Sequence, residues 1–86
     1  GAPVYLTIDL DCLDPSAFPG TGTPEAGGVT FLQLLEAVRR TCTARIVGAD
    51  VNELAPGLDA SGVSTATACK VLRGLLLALA AGKPAL

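Results

Sequence analysis

A chain of eighty-six residues, half of them apolar, with few aromatics and a formal charge of −2, makes one small domain and lacks the basic patch that nucleic acids or anionic membranes require. Its longest nearly apolar run, residues 74–81, falls short of the roughly 20 residues that span a bilayer, and no charged segment leading into an apolar one marks a secretory signal. Cys12, Cys42 and Cys69 are odd in number, widely spaced and without a CxxC pair, so they read as reduced thiols of a cytoplasmic protein.

The first element is a strand over Pro3 to Asp9, where Val4, Tyr5, Leu6 and Ile8 are interrupted only by Thr7. Near-continuous apolarity of that kind fits a parallel sheet covered on both faces. From Cys12 to Gly28 runs a loop with Pro15, Pro19, Pro24 and four glycines, long for a bare connection and therefore a candidate carrier of function. Thr30 with Gln33 forms a capping-box pattern, and Phe31, Leu34, Leu35 and Val38 recur at helical spacing, which predicts a helix from Phe31 to Thr41. Arg39 and Arg40 in its last turn suit the carbonyl end of the helix dipole.

A second buried strand is expected over Ala44 to Val51, followed by a loop from Leu54 to Gly62. The closing helix, Val63 to Ala81, should stop at Gly82 and Pro84. Its apolar residues at 68, 69, 71, 72, 75, 76, 79 and 80 occupy more than one stripe, so it should be largely buried. The order strand, helix, strand, helix calls for a parallel pair with a crossover helix. Both acid-bearing loops then leave from the carboxyl edge of the sheet, where Glu53 would share a cleft with Asp9 and Asp11. Two such strands leave sheet edges unpaired and faces uncovered, so the chain reads as part of a larger α/β domain.

Asp9 and Asp11, spaced i, i+2 at a strand end, project to the same side if the extended conformation persists through Leu10. Paired carboxylates suit a hard divalent cation such as manganese or magnesium, and two such ions about 3.5–4 Å apart lower the pKa of a shared water enough for hydrolysis near neutral pH. On spacing alone, solvated or capping aspartates are the more common reading of the pair. Glu53 alone reads as a solvent-facing acid, and Asp14 before Pro15 as an Asx turn. Histidine is absent, so any metal or proton-transfer site made from these residues alone is restricted to carboxylates.

The whole string Thr7-Ile8-Asp9-Leu10-Asp11, with Pro15, Pro19-Gly20, Thr21-Gly22-Thr23-Pro24-Glu25 and Gly27-Gly28, resembles the signature of the ureohydrolases, the arginase and agmatinase family. Asp50-Val51-Asn52-Glu53 followed by Pro56 resembles its second acidic motif, and the Gly20 to Glu25 segment looks most like agmatinases. The resemblance implies an arginase-like α/β fold, with residues 1–86 as the carboxyl-terminal βαβα part of a three-layer α/β/α sandwich around a parallel sheet. The amino-terminal portion of that single domain would be absent. It further implies two manganese ions, Asp9 bridging both and Asp11 binding one, with the remaining ligands in the absent portion.

By the same resemblance, Glu53 would pair with the guanidinium of an agmatine-like substrate and Thr23 would offer it polar contacts. A metal-activated hydroxide would release urea and an amine, in a homo-oligomer with neither nucleic acid nor membrane as partner. Asp50 matches the family and would order the loop or the surroundings of a ligand, while Asn52 departs from its usual apolar residue. The family's histidine and further aspartate ligands have no counterpart here, so no residue of this chain is assigned as a proton-transfer catalyst and the chain alone should be inactive. Three alternatives stand beside this reading. One is arginase, guanidinobutyrase or another amidinohydrolase specificity. Another is a non-catalytic fragment or degenerate paralogue acting in assembly. The third is a haloacid-dehalogenase-type D-x-D, which Cys12-Leu13 after Asp11 disfavours.

Overall fold

In the computed structural model, which describes residues 1–82, the two apolar runs form β1, Val4–Asp9, and β2, Ile46–Asn52. They pair in parallel, with Thr7 opposite Asp50 and Asp9 opposite Asn52, after a bulge between Val4 and Tyr5. The crossover is α1, Phe31–Thr41, and α2, Val63–Ala81, follows β2. The capping box that opens α1 is formed: the Gln33 N–H donates to Thr30 Oγ1 at 3.1 Å, and the Thr30 N–H donates to Gln33 Oε1 at 2.9 Å. Gly82 ends α2, while Pro84 lies outside the described residues.

Both helices pack on one face of the sheet. Ile8, Leu34, Val38, Val71 and Leu75 make the core with Leu10, Leu13 and Phe18, and Leu6, Ala49 and Val51 join it from the strands. Burial of apolar surface, at about 25 cal/mol per Å², is the main stabilising term for such a core. The loop after β1 contributes directly, since Leu13 and Phe18 are among its most buried side chains. That loop returns to its origin through the Val29 N–H to the Cys12 carbonyl, 2.9 Å, and the Asp14 N–H to the Val29 carbonyl, 2.9 Å. Gly28 makes the closure possible, because a Cβ there would lie 2.5 Å from Asp14 N and 2.6 Å from Leu13 C, both fixed backbone atoms.

Three expectations change. First, within the described residues β1 is covered on one face only: its burial alternates, and the face carrying Tyr5, Thr7 and Asp9 is exposed, as expected of two strands with both helices on one side. The alternation was masked because Tyr5 is apolar enough to hide the period of two. Second, α2 is not largely buried. Its packed stripe is Ser64, Ala68, Val71 and Leu75, whereas Leu72, Leu76 and Leu77 stand about half exposed, because one neighbouring helix and one sheet face cannot cover a helix apolar on several sides. The whole helix, at 19 residues and mean hydropathy 1.5, also has the length and composition to cross a membrane, although Lys70 and Arg73 lie within it. Third, the strand stops at Asp9. Leu10–Cys12 is a turn of 3-10 helix that drives Leu10 into the core, so alternation along a strand does not govern where Asp11 points.

Candidate active site

Parallel pairing decides the location of the acids. Asp9, the last residue of β1, lies opposite Asn52, the last of β2, and Glu53 is the next residue. Both acid-bearing loops therefore leave from the carboxyl edge, as the order of elements requires. Asp9 and Glu53 are exposed there and Asp11 is half-buried in the 3-10 turn. The long loop folds back over this edge so that Thr23 Oγ1 donates to Asp11 Oδ2 at 2.7 Å. A hydroxyl bonded to one carboxylate oxygen fixes the orientation of the other, the arrangement by which outer groups aim a metal ligand.

Glu53 has φ +82°, among the described residues the one non-glycine in the left-handed region. That conformation is disfavoured for a side chain with a Cβ and is a common mark of functional positions. The loop behind it is tied to the loop after β1: the Ala55 N–H donates to the Gly20 carbonyl at 2.7 Å, and the Gly20 N–H donates to buried Ser64 Oγ at 2.8 Å. Gly20 has no room for a side chain, since a Cβ would meet Ser64 Cβ at 2.6 Å. Ser64 is in turn held by Asp59, whose Oδ2 accepts both its N–H at 2.9 Å and its hydroxyl at 2.6 Å. Asp59 Oδ1 accepts from Ser61, and these bonds, that of the Ser61 hydroxyl first, hold its pKa well below the usual carboxylate range. Beside them Thr21 is buried with its hydroxyl unpartnered among the described residues.

The other acids have structural partners. Asp14 makes the Asx turn: it accepts from the Ser16 hydroxyl, the Ser16 N–H at 3.0 Å and the Gly27 N–H at 3.0 Å, which lowers its pKa. Asp50 accepts from Thr7, Tyr5 and Asn52, with the Thr7 bond the largest cause of its lowered pKa. The Tyr5 phenol is raised in turn, chiefly by its own hydrogen bond to Asp50. Burial and then the charge of Asp11 push the Cys12 thiol up.

The roles of Tyr5, Thr7, Ser61 and Ser64 escaped the sequence reading. Alternation of Tyr5, Thr7 and Asp9 was the available signal for the first two. For Ser61 and Ser64 it was the run Asp59-x-Ser61, an Asx pattern at the start of a helix.

Asp9 and Asp11 are oxygen donors of the kind a hard divalent cation takes, but among the described residues no group of three or more potential ligands converges. As oxygen donors they suit such a cation, and two carboxylates alone do not complete its coordination. A cavity of about 500 Å³ lies elsewhere, between the helices near the start of β2, lined by Leu35, Cys42, Gly74 and Leu77 among others and free of acids.

Over 75 residues the chain is 49% identical to an agmatinase of Chromobacterium violaceum, which covers 87% of this chain and 23% of that protein. Among solved structures, a hypothetical agmatinase from Burkholderia thailandensis superposes with a TM-score of 0.83 at 47% identity, covering 91% of this chain and 25% of that one. A proclavaminate amidino hydrolase from Streptomyces clavuligerus superposes with a TM-score of 0.88 at 36% identity, covering 94% of this chain and 28% of that one. The chain thus spans about a quarter of the length of the proteins it matches. With the sequence model of the arginase family matching residues 1–78, and the parallel βαβα unit superposing on solved structures of that fold, this chain belongs to the arginase family.

Proposed function

We propose that residues 1–86 are the carboxyl-terminal portion of a manganese-dependent ureohydrolase acting on an agmatine-like guanidino substrate. The observation that carries this reading is the register that sets Asp9 and Glu53 at one sheet edge in a chain closely similar to agmatinases. Three carboxylates at one open edge attract a cation. Glu53, accepting two parallel N–H bonds, matches the planar guanidinium and orients it for attack. Asp9 and Asp11 would hold manganese in part, with Thr23 fixing the orientation of Asp11. When bound, the metal pair supplies a nucleophilic water at neutral pH.

In the net reaction water adds its oxygen to the guanidinium carbon, one C–N bond breaks, and urea and a protonated amine leave. The proton on the amine is not supplied by a histidine of this chain, which has none. Residues 1–86 alone are accordingly inactive, and the active species is a longer, cytoplasmic, homo-oligomeric enzyme.

The test is urea release by the full-length polypeptide, its size first established by intact mass. Manganese-dependent release from agmatine is expected, with weaker turnover of arginine and guanidinobutyrate. A full-length chain that lacks the upstream histidine and aspartate ligands, or releases urea from none of the three, overturns the reading in favour of a non-catalytic module.

A further inference from the structure

We propose that Asp50 is a positioning residue, which sets Glu53 relative to Asp9 by tying Thr7 of β1 to Asn52 of β2. The inference rests on the ureohydrolase reading and extends it to a residue whose hydrogen bonds run to the neighbours of the site acids.

Asp50 lies opposite Thr7 on the exposed face of the sheet, two residues short of the end of β2. Both of its oxygens are engaged by side chains of this chain. Oδ1 accepts the Thr7 hydroxyl at 2.6 Å and the Asn52 side-chain amide, and Oδ2 accepts the Tyr5 hydroxyl at 2.9 Å. Two of these donors are close neighbours of the site acids. Thr7 is two residues before Asp9 on the same face of β1, and Asn52 immediately precedes Glu53. One carboxylate oxygen thus joins the strand that delivers the metal-ligand candidate to the residue at which the substrate carboxylate turns off the sheet.

The turn needs such a hold. Glu53 is at φ +82°, a conformation that a non-glycine residue keeps only where its surroundings enforce it. Asn52, bonded back to Asp50 two residues earlier, fixes the backbone just before it. Charge matters as well as shape: a carboxylate accepts from three donors more strongly than a neutral amide, and the amide of Asp50→Asn would set a donor against one of them.

The test uses the full-length manganese-loaded enzyme and a double-mutant cycle. Asp50→Asn should raise the KM for agmatine roughly tenfold, the scale of losing a group that orients a binding residue, with a smaller change in kcat. Calorimetric titration of guanidinium chloride at millimolar concentration should show the same weakening without turnover. In a Glu53→Gln background the Asp50→Asn change should add less than about twofold, because its effect passes through Glu53. Thr7→Val should reproduce the KM effect and Thr7→Ser should restore it, a pair that keeps the test open if Asp50→Asn fails to fold. Full additivity of Asp50→Asn with Glu53→Gln, or an unchanged KM in Thr7→Val, overturns the proposal while leaving the enzyme assignment standing. A wild-type chain without urea release removes both together.

Discussion

The two loops at the carboxyl edge reach the same place by different means. The loop after β1 is long and anchored from within: Leu13 and Phe18 sit in the core, Asp14 gathers its two ends, and Thr23 comes back onto Asp11. The loop after β2 is short, largely exposed, and held from behind by one carboxylate, Asp59, which fixes Ser64 and through it Gly20. The first resists change because moving it would open the core. The second keeps a strained residue, Glu53, at its start. On the proposed reading, the former arrangement would suit a metal ligand and the latter a group that must meet a diffusing cation.

The comparison can be broken most severely at Phe18. Phe18→Ala in the full-length chain should cost about 3–5 kcal/mol, the usual range for emptying a fully buried phenylalanine site, and thermal unfolding would show it. A loss under about 1 kcal/mol would mean that the loop is not anchored by its core residue. Thr23→Val should leave the unfolding midpoint nearly unchanged but weaken manganese binding roughly tenfold in a metal titration, since it removes only the hydroxyl aimed at Asp11. Equal metal affinity in that variant would reduce Thr23 to loop packing.

In the second loop, Glu53→Gly should separate strain from function. Relief of the left-handed conformation, less the added freedom of glycine in the unfolded chain, should raise stability by about 1 kcal/mol while substrate binding is lost. A lower unfolding midpoint would show that the backbone there is not strained. Asp59→Asn should lower the unfolding midpoint at neutral pH, where the carboxylate holds Ser61 and Ser64, and should show a diagnostic pH dependence. Because the folded pKa of Asp59 is depressed, its contribution is present above the ordinary aspartate value of 3.8 and is lost as pH falls below it. Wild type and variant should therefore converge in acid, and a difference that persists or widens there would assign the stabilisation to another group.

Particular residues show how much was legible. Thr30 and Gln33 bracket the start of α1 in sequence and in space because a capping box is a local structure, three residues from end to end. The bounds of both helices agree with the pattern for the same reason. The strands shift by a residue or two, with β2 starting at Ile46 rather than Ala44 and reaching Asn52, because pairing with β1 and not local preference sets their ends. Of the site, Asp9, Asp11 and Glu53 were legible as residue types at strand ends, and Asp14 as a turn former. The Thr23 contact with Asp11 was not, since a loop rich in glycine and proline gives no periodic signal for where it folds back.

By itself the sequence determined the order of elements, and with it the common edge from which the acids leave, because hydrophobic period, caps and turn residues act over a few neighbours. The tertiary structure decided which face of β1 is bare, how Leu10 bends the chain after Asp9, and that Asp50 meets Thr7. The last joins residues 43 positions apart through the register of a parallel pair, and the first two follow from where a buried core leaves space, so no local pattern encodes them.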